Sequence, residues 1–191
     1  YKILADRHLL PAAEGAAGAL NETLVKAVDP GARFLADKSE VELLREAKST
    51  DRAERFPEGI GYIKLKGVEL SAPSEISTTL DSWSNGIPHG LVLDLRGAGG
   101  NSAEAVDKIS GFYLPAGMPI YNLRDAEGRI VRTGKTEKPV QPAKFPRPLI
   151  LLADTNTCGA AEILCGSLRG RDGIVMIGQT TAGKPHLRDI V

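Results

Sequence analysis

The apolar positions change rhythm near residue 59. Before it, small and apolar side chains recur at helical spacing. AAEGAAGALNETLVKAV predicts a helix within residues 1–28, stopped by Asp29-Pro30-Gly31. SEVELLREAK predicts a second, with Ser39 as N-cap and Glu42 completing a capping box. The charged stretch 49–58 reads as a linker. From Gly59 on, short apolar runs alternate with helical stretches. GIGYIKLKGV, HGLVLDLRG, PRPLILLAD and GIVMIG predict strands. The last three are continuous apolar runs of the kind buried on both faces. APSEISTTLDSWSNG, SAEAVDKISGFYL (starting at Asn101 or Ser102) and GAAEILCGSLRG (ended by Gly170) predict helices. GMPIYNLRDAEGRIVRTG predicts a hairpin turning at 125–128, and HLRDIV a final strand. Such alternation argues for an α/β core with a largely parallel sheet. The expected organisation is an N-terminal helical element over 1–48, a linker over 49–58 and the core over 59–191.

Charge changes the picture little. The 24 basic and 24 acidic residues balance and are interspersed, which gives no field for nucleic acid or an anionic membrane. No apolar run approaches the roughly 20 residues that span a bilayer. With Tyr1 in first place, the chain reads as a trimmed or mature product that does not carry its own export signal. Cys158 and Cys165 lie seven apart in a predicted helix, so their Cα atoms should be roughly 10 Å apart, too far for a disulfide. Two free thiols are expected. His8, His89 and His186 are scattered; with no Cys or His cluster, neither a metal site nor a cofactor is expected.

Three turns follow predicted buried strands: LRGAGGNS (95–102), ADTNTCGAAE (153–162) and GQTTAGK (178–184). Sites in α/β sheets lie beyond the carboxyl ends of the strands, so the three turns could converge on one cleft. GQTTAGK fits G-x-x-x-x-G-K, but Pro185 follows where a nucleotide-binding loop needs Ser or Thr, and no helix follows the lysine. Asp94 and Arg96 read as a structural ion pair or a cleft wall.

GIGYIKL, GLVLDLRGAGGNSAEAV, FYLPAGMPI, PLILLADTNTCGAAEILCGSL and VMIGQTTAGK resemble, in that order, the motifs of the C-terminal processing peptidases, the tail-specific serine proteases. The resemblance covers roughly residues 30–188. It implies a Clp-protease/crotonase-like core of ββα units. It also implies a Ser nucleophile with a Lys general base, cleavage of protein substrates near their C-termini, and an exported setting. On this resemblance Lys184 falls on the catalytic lysine. A lysine buried beside apolar strands can lose its proton and act as base without His. The nucleophile position, three before Glu162 and 25 before Lys184, holds Gly159. Glycine supplies no nucleophile, so serine catalysis is expected to be absent from the chain as written. The family's Gln four after the lysine is replaced by Arg188. The oxyanion hole is expected from the Ala160 N–H, at a helix start, and from Gly99 or Gly100.

Other readings of these residues remain open. GAGG can be a tight turn, and Gly159 a plain N-cap with Glu162 favouring the helix dipole. Cys158 or Thr157 could replace the serine, although neighbouring residues on a helix diverge by about 100°. Between Leu44 and Gly59 there is no room for the PDZ domain that many relatives insert. Relatives continue past Val191, leaving a cleaved or disordered C-terminus or a fragment as the alternatives. The reading is a Ser/Lys peptidase scaffold with the nucleophile missing. A non-catalytic peptide-binding pseudopeptidase and a crotonase-like acyl-handling enzyme are the alternatives. Whether the chain is an enzyme is left open; its expected partner is a protein or peptide.

Overall fold

Each helix of the core links two parallel strands, and the order of the links sets the architecture. In the computed structural model, residues 48–83, 86, 88–139 and 145–187 are described. The chain divides into two compact units, Tyr1–Leu44 and Arg45–Val191, and all described residues fall in the second. The helix expected within 1–28 and that expected at SEVELLREAK, up to its final Lys48, lie outside them. Among the described residues, five strands form one sheet in the order β1-β2-β3-β6-β7: β1 (Thr50–Arg55), β2 (Ile60–Leu65), β3 (Gly90–Asp94), β6 (Leu149–Ala153) and β7 (Ile174–Gly178). The last four are mutually parallel. Helices α1 (Ala72–Ser82), α2 (Ala103–Gly111) and α3 (Gly159–Leu168) follow β2, β3 and β6 in turn. Between α2 and β6, β4 (Pro119–Arg124) and β5 (Ile130–Lys135) make an antiparallel hairpin.

The parallel strands are laid down in one direction across the sheet, without reversal. Right-handed crossovers then put every helix on the same side. Burial follows. Ile63, Leu65, Leu91, Leu93, Leu149 and Leu151 alternate along β2, β3 and β6 and are at most 1% exposed. They share one apolar cluster with Ile76 of α1, Ile109 of α2 and Leu164 of α3. Each such side chain contributes about 1.5–3 kcal/mol through burial. The intervening Val92, Ile150 and Leu152 are only half-buried. This corrects the expectation that the continuous apolar strands are buried on both faces. β7 departs furthest: at the edge of the sheet among the described residues, it leaves Val175 and Ile177 50% and 52% exposed.

The segment 49–58, read as a linker, contains β1. It pairs antiparallel with β2 (Ala53 opposite Ile63). The Glu75 carboxylate of α1 anchors its start by accepting the Ser49 and Thr50 N–H groups at 2.9 and 2.7 Å. An edge strand needs only backbone pairing, and charged side chains guard its free side. TDRAER therefore carries no apolar pattern to announce it. At the other end, His186 and Leu187 belong to no strand, and the rest of HLRDIV lies outside the described residues.

Candidate active site

The turns after β3, β6 and β7 meet at the N-terminus of α3, and main-chain hydrogen bonds bring them together. Thr157 opens the second turn. It is fully buried, and its hydroxyl donates to the Leu95 carbonyl at 2.8 Å while accepting from the Asp154 N–H. Asp154 in turn accepts from the N–H of Gly97 at 2.9 Å, which locks the first turn to the second. Cys158, extended at φ −146° and ψ 179°, is the N-cap of α3, a place the sequence offered to Gly159. Its N–H donates to the Ala98 carbonyl at 3.0 Å. Thr157 is thus a buried tie, with its hydroxyl engaged in the fold.

Gly159 begins α3 with φ +56°. Its N–H donates to the Lys184 carbonyl at 2.9 Å, so the structure brings Gly159 and the main chain of Lys184 together. The third turn is held by Glu162, in the first turn of α3. Its carboxylate accepts from the Gly183 and Lys184 N–H groups, both at 2.8 Å, and from the Thr181 hydroxyl. Sequence reasoning used Glu162 only as a landmark and a helix-dipole partner. Its contacts lie 19 to 22 residues away, and no local pattern reports them. The Lys184 side chain is exposed. The burial on which its role as a neutral base rests is absent from this arrangement. Arg188 lies outside the described residues.

The N–H groups expected to form an oxyanion hole are engaged within the chain. The Ala160 N–H donates to the Gly100 carbonyl at 2.9 Å, and the Ala161 N–H to the Gly99 carbonyl at 3.2 Å. The Ala160 donor therefore already has a partner within the chain. Gly100 has φ +109°, and a Cβ there would stand 2.3 Å from the Val68 nitrogen, so this turn requires glycine. Close approach of the first turn to α3 explains the change: the Gly99 N–H and carbonyl pair with Lys66 and Val68, which fixes the strand-like path of the turn and aims its carbonyls at the helix.

Beside this junction, Asp94 is fully buried and accepts from Tyr62 at 2.6 Å and from Arg96 Nε and Nη2 at 2.9 and 2.7 Å. Burial alone would push its carboxyl up; hydrogen bonds from Arg96 and Tyr62 outweigh it and hold it at about 2. It is the structural ion pair the sequence suggested. On the other side, a cleft of about 410 Å³ lies between β4, α3 and β7, with Ile120, Leu123, Ile163 and Met176 on its walls and Glu162, Thr181 and Pro185 at one end. Both cysteines are free. Among the described residues no group of three or more His, Cys, Asp or Glu could hold a metal ion, and no helix is long and apolar enough to cross a membrane.

The model of peptidase family S41 matches residues 59–191. A carboxyl-terminal-processing protease of Synechocystis is 28% identical over 133 residues, covering 70% of this chain and 30% of that protein. The carboxy-terminal processing protease CtpA of Bacillus subtilis is 27% identical over 125 residues, covering 65% and 26%. The chain thus spans less than a third of the length of these relatives. Among solved structures, a lipoprotein from Streptococcus agalactiae superposes with a TM-score of 0.63 at 18% identity, over 94% of this chain and 66% of that one. The photosystem II D1 C-terminal processing protease gives 0.54 at 23% identity, over 71% and 35%. These likenesses show the fold, a Clp-protease/crotonase-like α/β core.

Proposed function

The chain belongs to peptidase family S41, and from that premise we propose that it is the scaffold of a serine-type C-terminal processing peptidase whose nucleophile position is occupied by Gly159. The bond from the Gly159 N–H to the Lys184 carbonyl, 2.9 Å long, is the observation that supports the reading: the two residues that the resemblance assigns to a Ser/Lys dyad are tied main chain to main chain at a helix start. Glycine at 159 offers no hydroxyl for an acyl-enzyme at that position. The substrate class is a protein or peptide engaged near its C-terminus, and an exported setting is proposed on family resemblance alone. The test uses casein, a peptide with an apolar C-terminus and a fluorophosphonate probe. Neither cleavage nor labelling is expected. Turnover that disappears in Lys184→Ala, or a labelled serine elsewhere in the chain, would sink the missing-nucleophile reading.

The cleft along α3 favours a second reading, a pseudopeptidase that binds peptide without cutting it. Its apolar walls adjoin the turn that bears Lys184. Peptide binding with a measurable Kd, unchanged by Lys184→Ala, supports it.

A further inference from the structure

We propose that the Gly100 carbonyl is a plug that closes the anion-binding helix start, and that glycine at 159 is what lets it close. This deepens the peptidase-scaffold reading and rests on it. The missing serine leaves no empty socket. A Cβ built on Gly159 would stand 2.5 Å from the Gly100 oxygen, closer than real Cβ contacts come, and 3.6 Å from the His186 oxygen. The same Gly100 oxygen accepts the Ala160 N–H at 2.9 Å. One main-chain oxygen therefore crowds the place where a nucleophile's Cβ would stand and takes the donor that would stabilise a tetrahedral oxyanion.

The neighbouring donors are closed in the same way: the Gly159 N–H on Lys184 and the Ala161 N–H on Gly99. A helix start normally offers such N–H groups to an incoming anion. Here the chain's own carbonyls cap them. Both ends of the contact use glycine. Gly100 can hold its φ of +109° because it has no side chain to strike Val68, and Gly159, at φ +56°, has no side chain to displace the Gly100 oxygen. Opening the site requires the peptide unit carrying that oxygen to rotate away, which frees the Ala160 N–H and makes room at 159 together. A serine returned alone to position 159 meets the plug before it meets a substrate.

Amide hydrogen exchange by NMR on the full chain reads the plug directly, without any cleavage assay, so it can fail independently of the peptidase reading. In the unsubstituted protein the Ala160 amide should be protected, as should that of Leu164 in the middle of α3. Two substitutions separate the clash from backbone strain: Gly159→Ala, and Gly159→Asn, since Asn tolerates positive φ. Both add the Cβ. Both are expected to lower Tm by several degrees, and in the folded variant to speed exchange at Ala160 by about tenfold or more while Leu164 stays protected. An Ala160 amide that exchanges freely in the unsubstituted protein overturns the proposal. So does a Gly159→Asn variant that keeps both the original Tm and Ala160 protection.

Discussion

Two cysteines seven residues apart meet opposite surroundings. Cys165 is 2% exposed on the inner face of α3. Burial, with a smaller contribution from Glu162, pushes its thiol up to about 12. Thiolate is the reactive form, so Cys165 should be inert at pH 8. Cys158, at the N-cap, is only half-buried. Iodoacetamide at pH 8 should therefore modify one thiol rapidly in the native protein, located at Cys158 by mass spectrometry, and both after denaturation; rapid native labelling of Cys165 would contradict its burial. The spacing of the cysteines on a helix was enough to foresee two free thiols. The Gly100 oxygen crowding Gly159 could not be foreseen in that way. A glycine run announces a tight turn but not which way its carbonyls face, and that direction is set by Lys66 and Val68, more than thirty residues upstream.

The hairpin β4–β5 carries one wall of the cleft, and a small polar cluster docks it to α2. The Tyr121 hydroxyl donates to the Asp107 carboxylate at 2.7 Å, and Arg132 forms an ion pair with the same carboxylate. Asp107 is 4% exposed, and Gly134 leaves room for the Tyr121 ring, which a Cβ there would overlap. Tyr121→Phe keeps the ring and removes the bond. It should cost about 1–2 kcal/mol in urea unfolding, because a hydrogen bond to a buried charge is worth more than a neutral one. An unchanged midpoint would mean that Arg132 alone satisfies Asp107. At this scale the periodicity located α1, α2, α3 and the hairpin, because each has an apolar face or a turn of distinctive residues. It missed β1, whose TDRAER shows no alternation, and it overstated the burial of β7. Continuous apolarity in IVMIG does not say whether a strand lies at the centre or the edge of a sheet; the order of the strands does.

Across the whole molecule, the acid limit of stability should follow carboxylates that tie one element to the next. Asp94 joins β2, through Tyr62, to the turn after β3, through Arg96, and is held at about 2. In Glu75, burial pushes the carboxyl up, but hydrogen bonds from Ser49, Ser71 and Thr50 outweigh it and leave it below its ordinary value. For both groups the unfolded chain binds protons more readily than the folded one. Their stabilisation is therefore complete above the unfolded values near 4 and is lost as pH falls through the folded ones. Glu69 works the other way: burial raises its carboxyl, so its contribution is present at low pH and fades as pH rises. Asp94, fully buried with every contact at hydrogen-bond length, dominates. The unfolding free energy should fall by about 1–2 kcal/mol from this group between pH 4 and pH 2. Asp94→Asn should flatten that part of the profile and lower stability at pH 7, since Arg96 and Tyr62 then face a neutral amide. If the variant instead loses stability on acidification as steeply as the unsubstituted protein, the acid transition lies with other carboxylates, and Asp94 is not the tie between strand and turn that its geometry describes.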